Sequence, residues 1–249
     1  MLTFDNTTSK TTLIEENEFY QLYHNHDASF MYDYNFMRLK YLPTLEEFVL
    51  IEKILLEFHE DMEMDHLKFC WPDNTGVTKP IIDYLSRRGY GMEMLELYAI
   101  DPKDFLPSGG NPAVTVEFVK KETLADFKHI NRVQDVKISE TFAYQKQDLY
   151  DLDFKDSSVQ QVIAYLGDSA VGGLDLLISE KTIEIDNFFV LDRYRKRGFG
   201  TEIQNFVMDI AEASSRTVIL VADAEDTPKD MYLKQNYTYL SYQVGALKE

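Results

Sequence analysis

The feature that most constrains this chain is a short glycine-containing loop between a strand-like segment and a helix-like one. Residues 182–190 read TIEIDNFFV, which is typical of a strand, and the loop LDRYRKRGFG precedes an amphipathic pattern that starts near Thr201. Glycines at 198 and 200 allow the backbone to approach a ligand closely, and the helix directs its unpaired N–H groups and positive dipole end into the loop. This combination is suited to holding phosphate.

The charge pattern supports an anion site at this loop. Four of the five residues from Arg193 to Arg197 are basic, in a chain whose formal net charge is −18. Cations are therefore concentrated where an anion would bind. One alternative stays open: a strand–turn–helix connection whose glycines relieve strain and whose basic side chains are solvated.

Two well-known phosphate loops do not match this segment. A dinucleotide-binding loop needs a third glycine where Ile203 stands, and the Gly-Lys-Ser/Thr of a Walker loop is absent from the chain. What remains is Arg195-x-x-Gly198-x-Gly200 between a strand and a helix. This pattern resembles the coenzyme A pyrophosphate loop of the GNAT superfamily, the acetyl-CoA-dependent N-acyltransferases.

Elements downstream of the loop extend the resemblance. Residues 218–222 are a continuous apolar run, as expected of an interior strand. Thr227-Pro228 then provides an N-cap and a first-turn proline for a short helix, which ends at Asn236. Residues 231–237, MYLKQNY, resemble the GNAT segment Phe/Leu-Tyr-x-x-x-Gly-Phe. The resemblance begins at about residue 112 and implies an α/β fold with a mixed, mostly antiparallel sheet flanked by helices.

The first half of the chain repeats this order weakly. A helix over residues 45–62, a strand at 66–71, a helix at 78–88 and a strand at 92–100 follow the order of residues 201–245. Residues 18–41, dense in aromatic side chains, are expected to form a short helix followed by half-buried strands. We predict two tandem GNAT-like domains: a degenerate one over residues 1–107, a linker at 108–112 and a catalytic one over 113–249.

The first copy carries no glycine where the second has Gly198 and Gly200. Leu85 also stands where the second copy has Tyr232. We therefore expect the first half to bind no coenzyme A, and to support the second half or to line the acceptor pocket.

The resemblance also implies residue roles. Glu184 lies where several GNAT members carry their general base, and Tyr232 occupies the place of the usual general acid. On a regular strand Glu184, Asp186, Phe188 and Val190 would share one face. The alternatives are two solvated acids at the sheet surface and a tyrosine of the core. The coenzyme A site would comprise the end of the strand, the loop and the helix start: Phe188, Phe189, Val190, Arg195, Lys196, Arg197, Gly198, Phe199, Gly200 and Thr201.

One residue departs from the family pattern. Many members carry an asparagine seven residues before the tyrosine, and here that position is Glu225. Because an acid near phosphate is unfavourable, either its side chain turns away or cofactor affinity is reduced.

Composition excludes several other classes of function. The excess of acidic residues argues against binding of nucleic acid and suits a cationic amine or peptide acceptor. The sequence contains no apolar run long enough to span a membrane. Cys70 is the only cysteine, and its apolar surroundings favour a buried side chain. The five histidines show no metal-ligand spacing, so we predict no metal. We expect a cytoplasmic monomer or homodimer.

The resemblance therefore predicts an N-acetyltransferase that moves an acetyl group from acetyl-CoA directly to an amine. A non-catalytic acyl-CoA sensor and a transferase of longer acyl groups remain alternatives. The sequence does not identify the acceptor.

Overall fold

The computed structural model of the protein describes residues 2–7, 10–107, 109–225 and 229–249. The chain forms two compact units. The first comprises Met1–Leu97, Ala222–Asp226 and Leu240–Glu249, and the second comprises Tyr98–Val221 and Thr227–Tyr239. The predicted division at 108–112 follows chain order, whereas these units interleave along the chain. Ser108 of that linker lies outside the described residues, and the chain-order division stays a prediction.

Eleven strands are formed by the residues that the structure describes. They are β1 Thr12–Glu16, β2 Tyr20–His24, β3 Phe36–Leu39, β4 Leu67–Cys70, β5 Gly91–Ile100, β6 Val114–Phe118, β7 Val159–Leu166, β8 Ser169–Ile178, β9 Thr182–Val190, β10 Thr217–Asp223 and β11 Thr238–Lys248.

Six α-helices lie between these strands in the described ranges. They are α1 Leu45–Asp61, α2 Lys79–Arg87, α3 Leu124–Asp135, α4 Glu140–Asp153, α5 Phe199–Ala213 and α6 Lys229–Lys234. The predicted α/β class, with a mixed, mostly antiparallel sheet and flanking helices, is confirmed. Asn236 adopts the left-handed conformation after α6, with φ of 74°, as predicted. The predicted cap Thr227-Pro228 lies outside the described residues.

In the first unit the strand order is β1-β2-β3-β4-β11-β5. β3 and β4 are parallel and are joined by α1. Residues at helical spacing on α1, Phe48, Ile51 and Leu55, are buried in the core of this unit. The C-terminal strand completes the sheet, because Gly245 of β11 pairs with Cys70 of β4.

Residues 18–41 differ from the expectation in two respects: the structure places no α-helix there, and the strands β2 and β3 are buried on both faces rather than half-buried. β2 and β3 pair antiparallel, and only single 3₁₀ turns at His26–Ala28 and Tyr32–Tyr34 lie between them. The Asn25 side chain accepts hydrogen bonds from the N–H groups of Asp27 and Ala28, which closes one turn and no more.

In the second unit the strand order is β10-β9-β8-β7-β6, and all neighbours are antiparallel except β9 and β10. α5 connects the parallel pair β9 and β10. Adjacent glycines of β8 show which helix covers each face of the sheet. A Cβ at Gly173 would lie 3.3 Å from Phe127 of α3, and one at Gly172 would lie 3.3 Å from Ile203 of α5.

Each unit thus contains the same local arrangement. β3–α1–β4 in the first unit and β9–α5–β10 in the second are parallel strands joined by one helix. In both, a second helix and a strand follow along the chain: α2 with β5, and α6 with β11. The weak repeat in the sequence therefore corresponds to a repeated order of elements.

Candidate functional site

The loop after β9 turns with two left-handed residues. Lys196 has φ of 59° and Gly198 has φ of 80°, a pattern in which successive N–H groups can converge on an anion. Gly198 is the N-cap of α5 and makes no side-chain cap hydrogen bond. The first-turn N–H groups of α5, at Phe199 and Gly200, are donors of the kind that a helix leaves without an intrahelical partner. These donors and the helix dipole fit a diphosphate group.

The corresponding helix of the first unit begins differently. Thr44 caps α1, where its side-chain oxygen accepts from the N–H of Glu47 at 3.3 Å and the Glu47 carboxylate accepts from the N–H of Thr44 at 2.7 Å. This capping box satisfies helix donors with the chain's own oxygens. Glu46 and Glu47 also place negative charge in the first turn. The N-terminus of α1 is therefore unsuited to phosphate, in agreement with the missing glycines.

The basic side chains of the loop are exposed. Arg195 folds the loop back onto its own strand, because its Nε donates to the carbonyl oxygen of Val190 at 3.0 Å. Its guanidinium also lies 3.1 Å from Asp192. The Lys137 ammonium donates to the same carboxylate at 2.8 Å, and this hydrogen bond is the largest cause of the lowered pKa of Asp192. Arg195 thus has a structural partner within the loop.

Gly198 lies against the chain's own residues 109–111. A Cβ at position 198 would be 2.2 Å from the carbonyl oxygen of Gly109 and 3.0 Å from the carbonyl carbon of Gly110. The side chain of Asn111 donates to the carbonyl oxygen of Arg197 at 3.1 Å. From the sequence we explained Gly198 by the close approach of a ligand. The structure adds a second reason for glycine at this position, which is the close packing of residues 109–111.

β9 and β10 separate next to this loop. Their parallel pairing runs from Thr182 with Thr217 to Ile185 with Leu220, and both strands continue beyond the last pair. At the same level the pairing of β9 with β8 shifts by one residue, between Asp186 with Asp175 and Phe189 with Gly173. Asn187 occupies this bulge with φ of 51°. The last residues of β9 therefore face an opening in the sheet.

Because of the bulge, the side chains of β9 do not all lie on the predicted faces of the sheet. Glu184 and Asp186 share one face, as predicted, but Phe188 and Val190 do not join them. Phe189 pairs with Gly173, whose missing side chain would meet Phe127 of α3, so Phe189 lies on the same face as the two acids. Phe188 and Val190 face α5, since both approach a Cβ built at Gly200, at 3.4 and 3.7 Å. The extra residue reverses the alternation.

A buried polar cluster lies on the face of β9 that α3 and α4 cover. The Asn187 amide donates to Asn131 at 2.8 Å and to Asp175 at 3.2 Å. The Tyr150 hydroxyl donates to Asp135 at 2.9 Å. Burial raises the pKa of Asp135 above its ordinary value, and burial together with the charges of Asp135 and Asp175 raises the pKa of Tyr150. Glu184, 8% exposed, lies on the same face.

Comparison with known families assigns the two halves of the chain differently. Residues 125–237 match the acetyltransferase (GNAT) family, and residues 2–98 match a domain of unknown function, DUF5613. Residues 125–237 form a GNAT acetyltransferase domain. The strand, loop and helix described above all lie within it.

Solved structures with the same fold cover nearly the whole chain. A functionally unknown conserved protein from Staphylococcus epidermidis is 28% identical, with a TM-score of 0.92 over 100% of this chain and 98% of its own. A GCN5-related N-acetyltransferase from Kribbella flavida is 13% identical, with a TM-score of 0.68 over 98% and 92%. A tandem GNAT protein from the clavulanic acid biosynthesis pathway is 9% identical, with a TM-score of 0.56 over 92% and 78%. No curated protein sequence matches significantly.

Tyr232, the predicted general acid of the GNAT domain, lies on α6 and is 8% exposed. Its ring is 5.8 Å from that of Tyr98 and 5.5 Å from that of Tyr237. The aromatic contacts suit a core role, and the position in the family motif suits catalysis.

A surface cavity of about 540 Å³ lies at the start of the loop in the GNAT domain. Val133 of α3 is 41% exposed and lines this cavity. Glu184 is not among the described lining residues, so the cavity does not place an acceptor beside it. The walls are contributed by α3, the β7–β8 turn and the residues after β9: Asp126, His129, Ile130, Val133, Gln134, Asp168, Ser169, Ala170, Leu191, Asp192 and Arg193.

Other expectations concern single residues and absences. Glu225 is exposed, and its backbone N–H donates to the Asp223 carboxylate at 2.8 Å. Cys70 is buried, as predicted. Within the described ranges, no three His, Cys, Asp or Glu side chains are grouped to hold a metal ion, and no helix is long and apolar enough to cross a membrane.

The sequence did not identify Asn131, Asp175 or Asn187 as members of a site. Two signals were present. Asp175 interrupts the apolar strand segment VGGLDLLI, and Asn187 is of a residue type that tolerates positive φ in the middle of a strand pattern. Their meeting with Asn131 depends on the packing of α3 against β8 and β9, which no local pattern specifies.

Proposed function

We propose that the protein is an N-acetyltransferase that moves an acetyl group from acetyl-CoA directly to a cationic amine. One observation carries the proposal: β9 and β10 part after Ile185 and Leu220, and β9 then leads into a basic loop and a helix whose N-cap is glycine. A linear arm could enter the opening while its phosphate end meets the N-terminus of α5.

The proposed coenzyme A site follows the family resemblance. Main-chain groups of residues 188–190 would hold the pantetheine arm and, through an N–H, the thioester oxygen. Main-chain N–H groups from Lys196 to Thr201 would hold the diphosphate. The exposed side chains of Lys196 and Arg197 would add positive charge. Arg195 would act mainly by fixing the loop onto β9, given its contacts with Val190 and Asp192.

The proposed reaction is a single acyl transfer. A neutral amine nitrogen of the acceptor attacks the thioester carbonyl and gives one proton to Glu184, the C–N bond forms, and the thioester C–S bond breaks. Tyr232 gives its proton to the departing thiolate, and the two protein groups exchange protons with water before the next turnover. General acid and base groups of this kind each contribute about 10²–10⁴-fold in rate.

A cationic acceptor is supported by the acids on the same face of β8 and β9. Asp175 and Asp186 pair directly across the two strands, and Glu184 lies two residues before Asp186. Like charges opposite each other are unfavourable unless a cation compensates them. Lys146, 8% exposed, packs over the rings of Phe142 and Tyr150 at 5.6 and 5.1 Å, and its charge partly offsets the burial that raises the pKa of Asp135. A positively charged acceptor would be attracted to this group of acids.

The test is thiol release from acetyl-CoA in the presence of polyamines, aminoglycosides, amino acids and peptides. We expect turnover with at least one cationic amine, and a loss of about 10²-fold or more in Glu184→Gln and Tyr232→Phe. Glu117→Gln, an acid on β6, and Tyr239→Phe, a tyrosine on β11, are matched controls. Acetyl-CoA binding without turnover on any amine would instead indicate a non-catalytic sensor. Turnover with longer acyl-CoA substrates alone would show that the donor is a longer acyl-CoA and not acetyl-CoA.

A further inference from the structure

The bulge at Asn187 is held by a defined set of side chains. The two hydrogens of the Asn187 amide point to separate acceptors, the side-chain oxygens of Asn131 and Asp175. Asn131 is fully buried, and its own amide nitrogen donates to the carbonyl oxygen of Phe127, one turn earlier on α3, at 2.9 Å. We call Asn131, Asp175 and Asn187 the amide clamp.

The clamp stabilises a backbone conformation that few side chains adopt. Positive φ costs most residues about 1–2 kcal/mol, and asparagine tolerates it better than others except glycine. The Asn187 backbone N–H donates to the Asp186 carboxylate at 2.8 Å, so the turn is supported locally as well. The side-chain contacts to α3 and β8 fix where the turn lies relative to the sheet.

The position of the bulge matters because Phe188 and Phe189 come directly after it. Pairing with β10 ends at Ile185, and pairing with β8 shifts before Phe189. The main-chain groups of Phe188 and Phe189 therefore depend on the bulge for their orientation at the opening. These residues belong to the segment proposed to contact the thioester end of acetyl-CoA.

We infer that Asn187, anchored by Asn131 and Asp175, is the positioning residue that sets the main chain of Phe188 and Phe189 to receive the acetyl thioester. The inference rests on the proposed function. The clamp acts through the backbone, so Asn187 itself transfers no proton. The clamp should therefore affect the binding of acetyl-CoA more than that of free coenzyme A, because the two molecules differ only at the thioester.

The experiment compares the Kd values of acetyl-CoA and CoA, measured by calorimetry, for the full chain and for Asn187→Gly, Asn187→Ala and Asn131→Ala. Glycine keeps positive φ accessible but removes the clamp, whereas alanine removes both. We expect Asn187→Gly to weaken acetyl-CoA by about threefold to tenfold, the worth of one hydrogen bond, and CoA by less than about twofold. Asn187→Ala should weaken acetyl-CoA binding at least as much. Asn131→Ala should change the ratio of the acetyl-CoA and CoA Kd values in the same direction.

Asn74 provides a matched control in the first unit. It has φ of 57°, and its side chain accepts from the N–H of Tyr242 at 3.2 Å. Asn74→Ala therefore removes an asparagine from a left-handed position, and it should lower stability without changing the ratio of the two Kd values. Thermal unfolding of every variant accompanies the binding measurements.

The outcomes separate the inference from the proposed function. If the unmodified protein binds neither CoA nor acetyl-CoA, both are wrong. If it binds both and Asn187→Gly keeps the original ratio, or weakens the two ligands equally, only the inference is overturned. A change in the ratio in Asn74→Ala as large as in Asn187→Gly would overturn it too.

Discussion

Two glycines in the loop, two residues apart, should respond in opposite ways to the same substitution. Gly198 has φ of 80° and lies against residues 109–111, whereas Gly200 is in the first turn of α5. Alanine adds one methyl group at each position. The paired variants Gly198→Ala and Gly200→Ala therefore test whether backbone conformation and local packing, rather than glycine content, define this loop.

The magnitudes follow from the distances. At position 198 the new Cβ would lie 2.2 Å from the carbonyl oxygen of Gly109, closer than any real contact, so residues 109–111 must move. Positive φ alone costs alanine about 1–2 kcal/mol, and overpacking adds about 1–3 kcal/mol. At position 200 the nearest atom is Cζ of Phe188 at 3.4 Å, an ordinary contact. There alanine stabilises the helix by about 0.5–1 kcal/mol relative to glycine.

Thermal unfolding followed by circular dichroism measures both effects. For a chain of this size about 1 kcal/mol shifts Tm by about 2–4 °C, so Gly198→Ala should lower Tm by at least about 4 °C. Gly200→Ala should raise Tm by about 1–4 °C. A Gly198→Ala protein as stable as the original, or a Gly200→Ala protein less stable than Gly198→Ala, would refute this account of the loop. The same distances mean that a bulkier residue at 198 disturbs residues 109–111 before it reports on phosphate.

Three further predictions concern the first unit. Burial lowers the pKa of His59 to about 4. As the pH falls, the unfolded chain therefore takes up a proton at His59 near pH 6.5, before the folded chain does. The contribution of His59 to stability is full above pH 6.5 and is lost as the pH falls toward 4. Urea unfolding should show a loss of about 2–3 kcal/mol between pH 7 and pH 4.5, and His59→Leu should flatten that profile. Burial raises the pKa of the Cys70 thiol to about 11, so iodoacetamide should alkylate the native protein at least about tenfold more slowly than the denatured protein at pH 8; equal rates would contradict this. Phe48 is fully buried, 5.1 Å from the ring of Phe69 and 5.7 Å from that of Trp71, so Phe48→Ala should cost about 3–5 kcal/mol in urea unfolding; a cost below about 1 kcal/mol would contradict that packing.

Local signals predicted the elements well where they were strong. α1 begins after Thr44 because Thr44 and Glu47 form a capping box there, and the apolar residues of α1 recur at helical spacing. α2 ends just before Gly89, whose φ is 81°. The aromatic segment at residues 18–41 was harder to predict, since its side chains suit strands and helices alike and the deciding contact, the Asn25 cap, closes only a short turn.

The site was predicted less completely than the elements. The positions of Glu184 and Gly198 along the chain were visible from the sequence, but the bulge at Asn187 was not. One extra residue moves Phe189 to the face of Glu184 and moves Phe188 away from it. A period-two pattern cannot reveal such a shift, because it assumes that the alternation continues.

By itself the sequence determined the strand, the glycine loop, the α5 helix after that loop and the family that this order resembles. These depend on propensity, on caps and on backbone freedom, all of which act within a few residues. Only the tertiary structure decided that Asn131 and Asp175 hold Asn187, that residues 109–111 lie on Gly198, and that β11 pairs with β4. Those contacts join segments far apart in the chain, and their energy comes from burial and pairing that exist only once the chain has folded.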